Sequence, residues 1–194
     1  HLSCYHLTLE PNTPFAHNPP ALPDDDTAAD MQEAIEARLA EAGFEHYETS
    51  AFARPHEQSR HNLNYWTFGD YLGIGAGAHG KLTADDGSCT RHTRRRQPGD
   101  YLAAMNDGGF IASKRTLSEE DLMAEFAMNA LRLNAGFFIT LFEQRTGLHR
   151  NRLLPVAEAL AAKGLLTLSN AHIAATPLGL RFLDSVVAAF FPDA

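Results

Sequence analysis

The opening residues alternate, with His1, Ser3, Tyr5, Leu7 and Leu9 on one side and Leu2, Cys4, His6 and Thr8 on the other. A period of two in β-prone residues predicts a strand at the very start of the chain. A chain that opens inside a strand is expected to have something before it, so the sequence reads as the later part of a longer protein. Pro11, Pro14, Pro19, Pro20 and Pro23 then mark a loop that cannot be helix interior. Met31, Ala34, Ile35, Ala37, Leu39 and Ala42 recur at helical spacing and predict a helix over 27–42. Asp24, Asp25 and Asp26 lie at its dipole-favoured entry and Gly43 is placed to end it. Residues 44–50 read as a second strand, and strand, helix, strand is the rhythm of a parallel βαβ unit. Residues 71–75 suggest another short strand, closing in a glycine-rich turn.

The texture changes after residue 81. Asp85, Asp86 and Gly87 signal a turn, and 91–96 form a compact basic run that reads most simply as a solvated turn. Ser118 starts a helical stretch with an acidic entry, in which Leu122, Phe126, Ala130 and Leu133 recur at three- or four-residue steps. Further helices are expected over 137–146, 153–163 (stopped by Gly164) and 177–190. Two short apolar runs, 165–168 and 171–175, meet across Ser169 and Asn170. Three helices, a two-stranded wing and a last helix suggest a small helical, winged-helix-like domain. The expected boundary falls within 112–117, dividing the chain into 1–115 and 116–194. The fold class is α/β.

Composition narrows the function. Lys and Arg number 16 against 24 Asp and Glu, a formal net charge of −8, which argues against a nucleic-acid binder. The candidate recognition helix at 153–163 agrees, since it offers only Lys163 beyond Arg150 and Arg152 at its start. No apolar run approaches the roughly 20 residues of a membrane span, so no integral membrane segment is expected. Cys4 and Cys89 are the two cysteines, too few for a disulfide framework, a paired C-x-x-C zinc finger or an iron–sulfur cluster held by this chain alone.

Three segments could carry chemistry. Gly73, Gly75, Gly77 and Ala78 fit G-x-G-x-x-A in letter, but no helix pattern follows them, as a dinucleotide site requires. A close ligand contact or a tight backbone crossing remains. Arg60, His61, Asn62, Leu63, Asn64, Tyr65 and Trp66 form the densest polar and aromatic cluster. In a helical turn His61 and Tyr65 share a face, and imidazole and phenolate both serve as axial ligands to haem iron. Equally, Tyr65 and Trp66 could anchor the segment to a core while His61 and Asn62 satisfy nearby backbone. The basic run at 91–96 could contact propionates or phosphates instead of merely being solvated. The histidines form no H-x-x-x-H or H-E-x-x-H pair.

These strings, read in order with His1 to Thr13 and Gly43 to Ser50, resemble the HemW group within the oxygen-independent coproporphyrinogen III oxidase-like radical SAM proteins. The H-N-x-x-Y-W string is the most specific part of the resemblance. It implies a cytoplasmic protein of porphyrin and haem metabolism, a haem chaperone with a haem-acceptor protein as partner. By the resemblance His61, Asn62, Tyr65 and Trp66 are haem-binding, with His61 the iron ligand, and Gly73, Gly75 and Gly77 line the cofactor end. The resemblance further implies the C-terminal end of a partial (β/α)6 radical SAM barrel before the winged-helix-like domain. The group's C-x-x-x-C-x-x-C motif is absent here. The [4Fe–4S] cluster and S-adenosylmethionine therefore belong to a full-length parent only, and this chain should be inactive in radical chemistry alone. A catalytic coproporphyrinogen III oxidase and a protein-interaction module are the alternatives. An exposed sheet edge would favour a homodimer.

Overall fold

The computed structural model describes residues 1–104 and 108–192. The chain divides into two compact units, His1–Ser59 and Arg60–Ala194. The expected 115/116 division instead falls inside a strand of the second unit.

In the first unit β1 (Leu2–Ser3) is followed by a one-turn helix α1 (Pro14–His17), the long helix α2 (Asp25–Glu41), β2 (Glu45–Glu48) and β3 (Ala51–Ala53). The Asp24 carboxylate caps α2 by accepting the Thr27 N–H at 2.8 Å, and Gly43 follows the helix at φ +78°. The expected parallel sense of β1 and β2 holds, but the two strands do not pair: β3 lies between them and runs antiparallel to both. The physical reason is local: a two-residue turn at Thr49 and Ser50 sends the chain straight back, and the returning strand takes the place beside β1. The first strand is also far shorter than the alternation suggests. Ala51, Phe52 and Ala53 are buried, and His46 stacks on Phe52 with ring centres 4.3 Å apart.

The second unit begins with α3 (Arg60–Trp66) and an antiparallel sheet of β4 (His79–Thr83), β5 (Cys89–Arg94) and β6 (Ile111–Thr116), with β5 in the middle. Helix α4 (Pro98–Ala103) lies between β5 and β6 in the chain. The turn expected at Asp85–Gly87 joins β4 to β5, with Gly87 at φ +83°. The basic run is not a solvated turn: Arg91 to Arg94 are central-strand residues whose alternating side chains reach opposite faces. Residues 71–75 form no strand either. Only Tyr71 pairs, bridging Lys81, and the positive φ of Gly75 and Gly77 ends any extended run.

Helix α5 (Glu119–Ala130) starts with a full capping box between Ser118 and Asp121. It buries Leu122, Phe126 and Ala130, the face its periodicity predicts. After it come β7 (Phe137–Phe138), α6 (Ile139–Thr146), α7 (Leu154–Ala162), β8 (Leu166–Leu168), β9 (His172–Ala175), α8 (Pro177–Arg181) and α9 (Leu183–Ala188). The two apolar runs pair as expected, with β7 added on the far side of β9. The helix expected over 177–190 is two helices, broken where Phe182 leaves helical geometry at φ −113°, ψ 33°. Phe126 is the centre of the core, edge-on to Phe68, Phe137 and Phe142 at 5.9, 5.1 and 5.2 Å.

Candidate functional site

Helix α3 carries the aromatic string, and its first turn is open to solvent while its last is locked. His61 is exposed, and the Tyr65 ring one turn later meets it edge-on at 4.8 Å. The predicted shared face is therefore present, with the imidazole supported on one side by the phenol ring. Tyr65 in turn packs against Tyr71 at 4.5 Å. Asn62 is half-buried beside them in sequence. Trp66 faces elsewhere: the Arg132 guanidinium lies over its ring at 4.4 Å. Its buried Nε1 finds no hydrogen-bond partner among the described residues. A ring covered in this way anchors the helix more readily than it stacks on a flat ligand.

The locking device sits just beyond the helix. Phe68 adopts φ +55° and is buried, so its ring turns into the core while its carbonyl turns to the sheet. Lys81 on β4 is 1% exposed and donates to the Phe68 carbonyl at 3.1 Å and to Asp70 Oδ1 at 2.9 Å. Its ammonium also lies 4.1 Å from the Phe68 ring centre. Asp70 accepts from the Thr83 N–H and hydroxyl, each at 2.9 Å. Partial burial pushes the Asp70 carboxyl up, but the hydrogen bonds from Lys81 and Thr83 outweigh it and hold the group below its ordinary value. Gly69 closes the device, because a Cβ there would lie 2.2 Å from Asn64 Oδ1.

Sequence reasoning missed Asp70 and Lys81 altogether. A lysine in a strand is ordinarily read as solvent-facing, and an eleven-residue separation from its partner has no periodic signature.

The glycine stretch divides by role. Gly73 is pressed against the neighbouring backbone, its missing Cβ only 2.2 Å from the His79 carbonyl oxygen, which is the tight crossing weighed above. The Gly73 carbonyl accepts from Arg94 Nε at 3.0 Å. Gly75 and Gly77 hold positive φ in an open turn, with the Gly75 N–H donating to the Tyr101 hydroxyl at 3.2 Å.

Beside Tyr71 an open surface groove of about 490 Å³ runs between one face of the β4–β6 sheet and α5. Arg91 forms its inner wall, donating from Nη1 to the Tyr71 hydroxyl at 2.5 Å and from Nη2 to Glu125 Oε2 at 2.6 Å. Burial works against the charge of Arg91, yet Glu125 and Tyr71 outweigh it and raise its pKa, so the guanidinium stays charged. Arg115 pairs with Asp121 and approaches Glu125 Oε1 at 3.6 Å.

His61 is the one residue of this string whose side chain, an exposed imidazole, is of a type that can ligate haem iron without rearrangement. The residues present do not fit an iron–sulfur cluster. Among the described residues no three His, Cys, Asp or Glu converge, Cys4 and Cys89 lie in different compact units, and burial pushes the Cys89 thiol pKa up.

Residues 117–182 match the HemN C-terminal domain. Along 193 residues, all of this chain and 50% of the relative, the sequence is 42% identical to the heme chaperone HemW of Escherichia coli (strain K12). It is 46% identical over 151 residues to the heme chaperone HemW of Haemophilus influenzae, covering 78% of this chain and 38% of that one. Over its whole length the chain is thus homologous to part of the HemW heme chaperones. It spans about half the length of the curated HemW relatives it matches. The fold of this chain is shared with a solved structure of E. coli coproporphyrinogen III oxidase (HemN), described as a radical SAM enzyme. The TM-score is 0.62 at 18% identity, over 87% of this chain and 42% of the other, so that likeness concerns α/β architecture alone. Among the described residues no helix is long and apolar enough to cross a membrane.

Proposed function

We propose that this chain is the haem-holding part of a haem chaperone, with His61 as an axial iron ligand. The observation that carries the reading is the contrast within α3: its last turn is fixed by the Phe68, Asp70 and Lys81 network, while His61 stands exposed and braced by Tyr65. A fixed helix presenting one free imidazole is pre-organised for a ligand that arrives from solvent. The similarity to heme chaperones supports the same assignment.

In this reading Tyr65 orients the imidazole, Asn62 shapes the exposed turn, and Trp66 anchors the helix under Arg132. Gly75 and Gly77 leave an open turn at which the edge of a cofactor can come close, whereas Gly73 is committed to its backbone crossing. The part before α5 corresponds to the end of a partial (β/α)6 barrel and the part from α5 onward to a winged-helix-like cap, in keeping with the order α5, β7, α6, α7, β8, β9. The protein acts in the cytoplasm and passes haem to an acceptor protein. A [4Fe–4S] cluster and S-adenosylmethionine belong to the longer protein, since the residues here do not provide for a cluster.

Titration of the chain with haem, followed by the Soret band, tests the reading. The wild-type chain should give a shifted band that saturates, and His61→Ala should lose it. Identical spectra for the two would remove His61 as ligand.

A further inference from the structure

Helix α3 is tied to the sheet at a second place besides the Lys81 network, and this tie starts from an ion pair. Arg91 on the central strand β5 grips Glu125 Oε2 of α5 with two nitrogens, Nε at 2.9 Å and Nη2 at 2.6 Å. Both side chains are mostly buried, and a planar guanidinium held in this way has one orientation. Its remaining nitrogen, Nη1, donates to the Tyr71 hydroxyl at 2.5 Å. The other end of Tyr71 is pinned as well. Its N–H donates to the Lys81 carbonyl at 2.9 Å, and its own carbonyl accepts from the Lys81 N–H at 3.0 Å. A tyrosine fixed at both backbone and hydroxyl has little rotamer freedom left. Against its ring the Tyr65 ring packs edge-on at 4.5 Å, and Tyr65 in turn meets the His61 imidazole edge-on at 4.8 Å.

These contacts run without a break from Glu125 through Arg91, Tyr71 and Tyr65 to His61, all within the second compact unit. Glu125 neutralises Arg91, so what reaches the far end is order, not charge. We infer that Arg91 and Tyr71 are positioning residues for His61: by fixing the Tyr71 phenol they hold the Tyr65 ring, and that ring holds the exposed imidazole in one orientation. An exposed side chain on a helix otherwise samples several rotamers, and a ligand that requires one of them binds more weakly for it. Arg91 acts on the imidazole only through the two phenol rings between them. What the ordered ring is for rests on the haem reading; the ordering itself does not.

The ordering is read without haem, from the nuclear Overhauser cross-peak between the His61 and Tyr65 ring protons in the 194-residue chain. Tyr71→Phe keeps the ring and removes the hydroxyl that Arg91 holds, while Arg91→Lys keeps the charge and removes the planar grip. Both should weaken the cross-peak and move the His61 ring signals toward those of a free histidine. Ser118→Ala removes the cap of α5 without touching the series, and as the control for destabilisation alone it should leave the cross-peak intact. In a haem titration Tyr71→Phe should bind about fivefold more weakly, the scale of one aromatic pair, with the Soret band position unchanged because the ligand is the same. A Tyr71→Phe chain with the wild-type cross-peak and the wild-type haem affinity overturns the positioning role and leaves His61 as ligand. Equal weakening of the cross-peak in Ser118→Ala overturns it too. A wild-type chain that shows the cross-peak but gives no saturating Soret band overturns the haem reading and leaves the ordering standing.

Discussion

Replacing Asp70 by Asn should cost more than replacing its partner Lys81 by Met, although Lys81 is the more buried of the two. In Asp70→Asn the ammonium stays at 1% exposure and loses its carboxylate at 2.9 Å. It keeps only the Phe68 carbonyl at 3.1 Å, the Thr83 hydroxyl at 3.5 Å and the Phe68 ring. Removing one partner of a buried pair costs about 3–5 kcal/mol. Because 39% of the Asp70 side chain is exposed, solvent already screens part of the attraction, which lowers the expected loss to about 2–3 kcal/mol. Lys81→Met removes the buried charge along with its desolvation cost. It leaves Asp70 solvated on its open side and the Phe68 carbonyl without a donor, a loss of about 1–2 kcal/mol. The double variant should therefore be more stable than Asp70→Asn alone by about 1 kcal/mol. Urea unfolding followed by fluorescence reports this directly, since Trp66 is the only tryptophan and sits on the helix the network holds. If Lys81→Met costs more than Asp70→Asn, or the double variant is the least stable of the three, the network does not work as described.

Acid should act through the same carboxylate. The folded pKa of Asp70 is depressed, so its contribution is present above the ordinary value near 3.8 and is lost as pH falls through the folded value. Asp70→Asn should flatten that part of the stability profile below about pH 4, and an unchanged acid limb in urea melts at stepped pH would count against it. Ser118→Ala removes the α5 capping box and should lower stability by about 1 kcal/mol, with equal thermal melts as the contrary result. Gly73→Ala forces a Cβ to 2.2 Å from the His79 carbonyl oxygen and should cost upward of about 2 kcal/mol in denaturant unfolding; a near-neutral effect would show that the crossing yields easily. Strand β6 is a sheet edge exposed at every residue, so the chain should self-associate at high concentration. Light scattering that returns a clean monomer would refute that expectation.

The helices of the second unit were legible because their signals are local. Ser118 with Asp121 announces the entry to α5, and Leu122, Phe126 and Ala130 draw its buried face. His61 and Tyr65 were legible for the same reason, since a separation of four residues fixes a shared face once the segment is helical. Pairing across longer stretches was not. The inserted strand β3, antiparallel between the two parallel strands of the first unit, was not legible because a two-residue turn at Thr49 and Ser50, without glycine or proline, carries no strong signal of reversal. The basic run misled in a related way: a strand in the middle of a small sheet can carry charges on both faces when Glu125 waits above one of them. Asp70 and Lys81 acquire meaning only from Phe68 in its left-handed turn, a conformation that no residue pattern at that position advertises.

The central claim is that His61 ligates haem iron, and chemical rescue tests it most directly. His61→Gly removes the imidazole and leaves space beside Tyr65 for a free imidazole to occupy. The account predicts that His61→Gly loses the ligated Soret band and recovers it when imidazole is added. A His61→Gly chain that keeps the wild-type spectrum with no imidazole present would contradict it.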